Sequence, residues 1–148
     1  MSKQIKLKIV TPEKLILEEN VDQVSLPTTE GEITILPEHI GLISALGSGD
    51  VVAVVNGEHV PMAIVGGFLE VKHGPHGETE VAVLADFAEH VSELGDEKIA
   101  QAIARSEELH KLMENKEHVD YEHFVSELER SLTRVKIADK WKTRKYRK

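Results

Sequence analysis

Chemistry in this 148-residue chain would have to start from its eight histidines, because the sequence has no cysteine. That absence removes disulfides, cysteine nucleophiles and thiolate metal sites together. His73 and His76 stand three apart in a Gly/Pro loop, and His118 and His123 straddle a helix start. Neither pair has an obvious third ligand, whereas a completed zinc site uses three or four, so no metal is expected. Glu-His neighbours recur at 38–39, 58–59, 89–90, 117–118 and 122–123. Adjacent residues do not face one another on a helix or strand, so these pairs read as surface. Ser48 lies in Gly-Ser-Gly, which is not the nucleophile elbow G-x-S-x-G, and no P-loop, G-x-G-x-x-G or H-E-x-x-H occurs. The chain is expected to bind rather than to catalyse.

What it binds is suggested by charge. The net charge is −8, yet Arg130 to Lys148 holds nine Lys/Arg against the single acid Asp139, leaving −16 on the first 129 residues. Cations near a helix C-terminus complement its dipole, but that accounts for two or three of them. Segregation on this scale concerns partners. Nucleic acid is one option, with Trp141 and Tyr146 interleaved among the cations. The acidic remainder would repel a phosphate backbone, which favours an acidic protein surface.

The elements that must carry these residues follow from periodicity. Ile5, Leu7 and Ile9 alternate with lysines as a half-buried strand, and Thr11-Pro12-Glu13-Lys14 is a turn. Leu15–Leu17 and Val21–Leu26 give two more strands joined through Glu18-Glu19-Asn20. From Leu26 to Leu46 two prolines, Pro27 and Pro37, frame the alternating run Glu32 to Leu36; each lacks an N–H and marks a corner or an edge. Ile33, Ile35 and Leu36 are expected in the core, and the polar corners at the surface. Asn56-Gly57 between two apolar runs signals a hairpin. Gly66-Gly67 breaks or bulges the sheet, and Glu80–Leu84 forms the last strand. Many short strands without intervening helices indicate a sandwich or barrel.

After Asp86 the period changes to about 3.6 residues. Asp96 is the expected cap of a helix with Ile99, Ala102/Ile103, Leu109 and Leu112/Met113 on one face. Asp120 begins a second helix, stapled by Val119 and Phe124, with Tyr121, Phe124/Val125, Leu128, Leu132, Val135 and Ala138 as its stripe. The fold class is therefore α+β: an N-terminal antiparallel β-sandwich, residues 1–87, and a C-terminal antiparallel helical hairpin with its basic tail, residues 88–148. No window approaches 18 uninterrupted apolar residues, so no membrane span is expected. The N-terminus reads directly into a strand, which makes cytosolic residence the default.

Taken jointly, IVTPEK, LPTTEGEITILPEHIGLISAL, VGGFLEV, VAVLAD and the VDY of the second helix resemble the epsilon subunit of bacterial-type rotary (F-type) ATP synthases, in order and over essentially the whole chain. The resemblance implies a non-catalytic central-stalk subunit of a proton-translocating synthase, peripheral on the cytoplasmic face of the bacterial membrane. Its implied partners are the gamma subunit, the membrane c-ring and the catalytic beta subunit. Glu30, Gly31, Glu32, Glu38 and His39 match positions turned toward ring and gamma. Arg130, Arg134 and Lys136 match the cations that meet beta when the hairpin extends and inhibits ATP hydrolysis. No cofactor is implied: the nucleotide motif survives only as Gly95-Asp96-Glu97-Lys98-Ile99-Ala100, with Ile at the arginine and Gly at the leading aliphatic position. The competing class is an independent β-sandwich binding module whose basic tail takes nucleic acid or an anionic membrane.

Overall fold

The computed structural model describes residues 3–114 and 121–148. Eight strands precede a 3₁₀ turn and two helices: β1 (Ile5–Val10), β2 (Leu15–Val21), β3 (Gln23–Thr28), β4 (Gly31–Ile35), β5 (Leu42–Ala45), β6 (Ser48–Val55), β7 (Glu58–His73), β8 (Thr79–His90), the turn Val91–Glu93, α1 (Asp96–Met113) and α2 (Tyr121–Trp141). They pair in the order β2-β1-β8-β7-β6-β3-β4, with β5 added to β7. All pairs are antiparallel except β1 with β8.

Strand β7 has 16 residues, roughly 50 Å if straight, which no single face of a small domain can accommodate. It bends at Gly66 and Gly67, whose φ angles are 65° and 113°. Both values lie where only glycine is at ease. The sequence marks this pair as a break or bulge, but pairing runs through it without a slip: Val65 lies opposite Phe87, Gly67 opposite Ala85 and Phe68 opposite Leu84. The bend lets one hairpin serve both layers of a sandwich. The first half of β7 pairs with β6 over Glu58–Val65, and the second half pairs with β5 over Phe68–Val71. The first half of β8 takes β1 as its other neighbour.

The layers close on one core, which includes Ile5, Leu7 and Ile9 of β1, Val24 and Leu26 of β3, Ile35 of β4, and Met62, Ile64 and Leu69 of β7. Burial along β7 records the arrangement. Val60–Val65 are buried without interruption, whereas from Phe68 exposed and buried residues alternate. A continuous buried run means cover on both faces, and alternation means cover on one. The second cover is helical. Ala63 joins Val91, Leu94, Ile137 and Trp141 in a separate small core.

Several boundaries depart from the sequence reading. Glu18, Glu19 and Asn20 continue β2 because they pair with Lys8, Leu7 and Lys6, setting opposite charges across the ladder. The corner moves to Asp22, whose carboxylate accepts from the Gln4 side chain at 3.2 Å and the Asn56 N–H at 2.8 Å. Strand β8 runs on to His90, since its far half pairs with β7 across the bend. Gly95, not Asp96, is the N-cap of α1, and Asp96 makes the first turn acidic without a side-chain cap bond. Leu36 is 53% exposed rather than core, because it lies just past the end of β4. Asn56 and Gly57 do turn the β6–β7 hairpin, with φ of 51° and 81°. The expected cap Asp120, its staple residue Val119, and His118 lie outside the described residues.

The bend yields a stability prediction. A Cβ on Gly67 would lie 2.0 Å from the Leu84 carbonyl oxygen, a backbone atom that cannot swing aside. Gly67→Ala should lower the unfolding free energy by about 3 kcal/mol or more, combining a positive φ with a steric clash. Gly57→Ala, at positive φ but with nothing within 4 Å of the added carbon, should lose only about 1–2 kcal/mol. Urea unfolding of both variants tests the order.

Candidate docking surfaces

On the outer face of the β5 side, the ladder registers bring exposed apolar residues into one row. Ala45 pairs with Phe68, Phe68 with Leu84, Leu84 with Val10 and Val10 with Leu15. Phe68 is 59% exposed, Leu84 58% and Leu15 51%. Ile43, 72% exposed, lies one row away opposite Glu70, and Ile40 is exposed just before β5. Single exposed apolar side chains are ordinary; a contiguous row of large ones marks a contact surface. The sequence reading places Leu15 and Leu84 in strands and assigns neither of them a face. The signal that identifies them is parity: Phe68 shares its face with Glu70 and Lys72, whereas Leu69 and Val71 point into the core.

The sequence-derived rim residues fall into two groups that do not share a surface. Glu30, Gly31 and Glu32 are exposed at the tip joining β3 to β4, a turn fastened by Thr28 Oγ1, which donates to the Gly31 carbonyl at 2.5 Å and accepts from the Glu30 N–H at 3.2 Å. Glu38 and His39 lie at the opposite end of β4, in a turn closed by the His39 N–H on the Leu36 carbonyl at 3.1 Å. Pro37 presets the second position of this turn, and Glu38 occupies the third at φ 72°, a geometry that ordinarily selects glycine. The Glu38 N–H donates to Thr79 Oγ1 at 2.7 Å, and its carboxylate pairs with Lys3. His39 Nδ1 meets the Ile40 carbonyl at 2.8 Å.

The helices bury part of the stripes read in the sequence, Ala102, Leu109 and Leu128 among them, and leave other members outside. The α1–α2 contact is made by small residues, with Ala102, Ser106 and Ser131 buried alongside Leu109 and Leu128. Arg105 clamps it with a bidentate pair to Glu127 at 2.6 and 3.1 Å. That bond holds the Glu127 carboxyl below the usual carboxylate range. Ile103, Val125 and Leu132 are exposed. A second face of α2, Thr133, Ile137 and Trp141, is buried, and Ile137 and Trp141 lie with Ala63 against the sandwich. The polar Thr133 hides that face from an apolar-periodicity search.

The three cations singled out on α2 part company. Arg130 and Arg134 stack over the Phe87 ring at 5.4 and 4.8 Å. Arg134 Nε also donates to Glu89 at 3.0 Å, and Lys98 pairs with the other oxygen of the same buried carboxylate. Burial lowers the pKa of both cations, with Arg134 itself the second cause for Lys98. Lys136 stays exposed. Two histidines act as fasteners: His90 meets the Ile16 carbonyl at 3.1 Å, and His59 packs edge-on to Trp141. Ser48 donates to Glu129 of α2 at 2.5 Å. Among the described residues no three His, Asp or Glu side chains are grouped to hold a metal, and no helix is long and apolar enough to cross a membrane.

A sandwich with an apolar outer row and a packed helical pair defines a docking subunit. The profile of the ATP synthase delta/epsilon chain β-sandwich domain matches residues 4–91. An ATP synthase epsilon chain of Nitratidesulfovibrio vulgaris is 37% identical over 137 residues, covering 93% of this chain and 97% of that one. One from Carboxydothermus hydrogenoformans is 43% identical over 108 residues, 73% and 77% of the two chains. The fold is shared with a chain of the Euglena gracilis mitochondrial ATP synthase at a TM-score of 0.66 and 24% identity, covering 88% of this chain and 78% of that one. The chain belongs to the ATP synthase epsilon-chain family, and as such is a non-catalytic subunit of a larger enzyme.

If the row is surface rather than core, Phe68→Ser and Leu84→Ser in the isolated chain should change unfolding free energy by no more than about 0.5 kcal/mol. Leu69→Ala, one residue away and fully buried, should lose about 2–5 kcal/mol. Denaturant midpoints at constant m-value separate the two cases.

Proposed function

We propose that this chain is a rotor subunit of the ATP synthase central stalk, seated on the gamma subunit through the apolar row Leu15, Leu84, Phe68 and Ile43. The exposure of that row carries the reading. Nothing in the described chain covers it, and apolar area of this kind is buried in stable assemblies. The tip Glu30-Gly31-Glu32 is assigned to the membrane c-ring, and Glu38-His39, at the other end of β4, to the periphery of the gamma contact. In this role the chain transmits rotation between ring and catalytic head, and so couples proton flow to ATP synthesis. It is peripheral, on the cytoplasmic face of the bacterial membrane. Chains of the same fold occur in a mitochondrial OSCP/F1/c-ring assembly and in a central stalk/c-ring assembly from Tetrahymena thermophila, which supports this placement.

The division of labour we propose follows the chain: residues 1–87 dock, and residues 88–148 regulate. The helices have 18 and 21 residues, about 27 and 32 Å at 1.5 Å per residue; extended as one helix, residues 96–148 would approach ~80 Å. Extension brings Arg130, Arg134 and Lys136 to an acidic surface of the catalytic beta subunit and inhibits hydrolysis. A polyanion-binding module is the weaker reading, because Arg134, Lys140 and Arg147 already meet carboxylates of the sandwich.

Phe68→Asp and Leu84→Asp together should weaken association with gamma at least about hundredfold, since central apolar anchors carry about 2 kcal/mol or more each. Loss of gamma from the purified complex, with the variant still folded, is the expected result; unchanged association would remove the docking assignment. Deleting residues 89–148 bears on the inhibitory part alone, where ATP hydrolysis should rise while gamma stays bound.

A further inference from the structure

The last residues of the chain do not run into solvent after α2. Two turns reverse them, with the Lys142 N–H on the Asp139 carbonyl and the Arg144 N–H on the Trp141 carbonyl, each at 3.3 Å. Arg147 then closes onto the sandwich with three bonds. Its backbone N–H donates to the His59 carbonyl at 2.8 Å, and its guanidinium donates to both Glu19 oxygens at 2.7 Å. Glu19 lies on β2, the edge strand of one layer, and His59 near the start of β7 in the other, so the segment bridges the two layers.

Beneath it lies Trp141, the only tryptophan, 3% exposed. Its indole N–H donates to Asp50 Oδ2 at 2.8 Å, and Lys140 pairs with the same buried carboxylate at 2.9 Å. The His59 and Tyr146 rings meet the indole edge-on at 5.7 and 6.0 Å. Arg144 lies 5.7 Å over it and Lys148 5.8 Å over Tyr146. Removal of the segment would uncover an aromatic side chain and leave Glu19 without its guanidinium.

We infer that Trp141–Lys148 is a strap that fastens the helical hairpin to the sandwich, locked by the Arg147–Glu19 clamp and seated on Asp50, and that its opening frees α2. The consequence for ATP hydrolysis rests on the inhibitory reading above; the strap itself rests on geometry alone. A bidentate Arg–carboxylate pair is the strongest common ion pair, and a half-buried one is only partly screened by salt. The hydrogen bond to Arg147 holds Glu19 below the usual carboxylate range, with the nearby His90 adding in the same direction, and the bond to Glu19, helped by Glu58, raises Arg147. A depressed carboxylate stabilises the folded form above its unfolded value and stops doing so as pH falls through the folded one. The clamp therefore stabilises the closed strap at neutral pH and stops doing so only when acid protonates Glu19.

Full-length chains carrying Arg147→Ala, Glu19→Gln, the exchange Glu19→Arg with Arg147→Glu, or an end at Trp141 provide the test, read by amide exchange in α2 and by Trp141 emission. Each single change should speed α2 exchange about tenfold, the effect of one charge-assisted bond, the truncation at least as much, and all should shift emission to the red. Exchange in β6 and β7 should hold. The exchanged pair should return α2 toward the parent rate, which a general loss of packing would not do. Unchanged α2 exchange and emission in both Arg147→Ala and the truncated chain overturns the strap. In the assembled synthase, open-strap chains should hydrolyse ATP more slowly. Loosened α2 with unaltered hydrolysis upholds the strap and overturns the inhibitory reading.

Discussion

The close approach of Gly67 to the Leu84 carbonyl is the constraint from which both surfaces of this protein follow. At that point the strands of the β7–β8 hairpin come so near that a Cβ has no room, and the positive φ of the glycine pair turns the hairpin while its ladder stays in register. A bulge would have shifted parity, sending Phe68 inward and Leu69 outward. Because parity is kept, the two halves of one hairpin acquire opposite neighbours. The half before the bend turns Ala63 to a helix, and the half after it shows Phe68 and Leu84 to the outside. The docking row and the helix seat are two ends of one structural device.

The helix seat is unusual in how it is held. The second core has few members, Ala63, Val91, Leu94, Ile137 and Trp141, and so supplies limited apolar area. The remaining attachment is polar. Asp50 takes Lys140 and the indole N–H; Glu89 takes Arg134 and Lys98; Glu19 takes Arg147. Buried ion pairs add little net stability compared with apolar packing, because desolvation offsets attraction. They do define position, since a carboxylate accepts only partners that reach it in the right geometry. A seat of this kind would release its helix at a modest cost and receive it back in one register, as the proposed extension of the hairpin requires.

Much of the fold was legible because its signals were local. The Asn56-Gly57 turn, the alternation of Ile5, Leu7 and Ile9, and the change of period after the sandwich each depend on neighbouring residues. What escaped depends on pairing at a distance. Glu18 to Asn20 look like a turn until Lys6 and Lys8 are set beside them. Phe68 and Leu84 are strand residues of no stated face until the ladder shows which one they share. Thr133 interrupts the buried face of α2 and hides it from apolar periodicity, and Asp96 has the residue type of a cap although backbone geometry gives that place to Gly95. Of the rim residues, Glu30, Gly31, Glu32 and Glu38 are exposed and His39 is half-buried, and their separation by β4 is visible only in the fold.

The charge segregation has a partly internal resolution. The basic end reads as a segment seeking an acidic partner, and its first acidic partner is the chain's own sandwich. Arg134, Lys140 and Arg147 pair with Glu89, Asp50 and Glu19, while Arg130, Arg144 and Lys148 lie over aromatic rings. Lys136, Lys142 and Lys145 remain exposed. Any external acidic surface must therefore compete with carboxylates that are already in place, two of them buried. Attraction between two such surfaces through water is weak and screened within about 10 Å, so it cannot by itself pull the arginines from their sockets. If an external surface is to capture them, as proposed above, the polar seat has to open first, and that order follows from the geometry of Glu19, Asp50 and Glu89 rather than from the total charge of the tail.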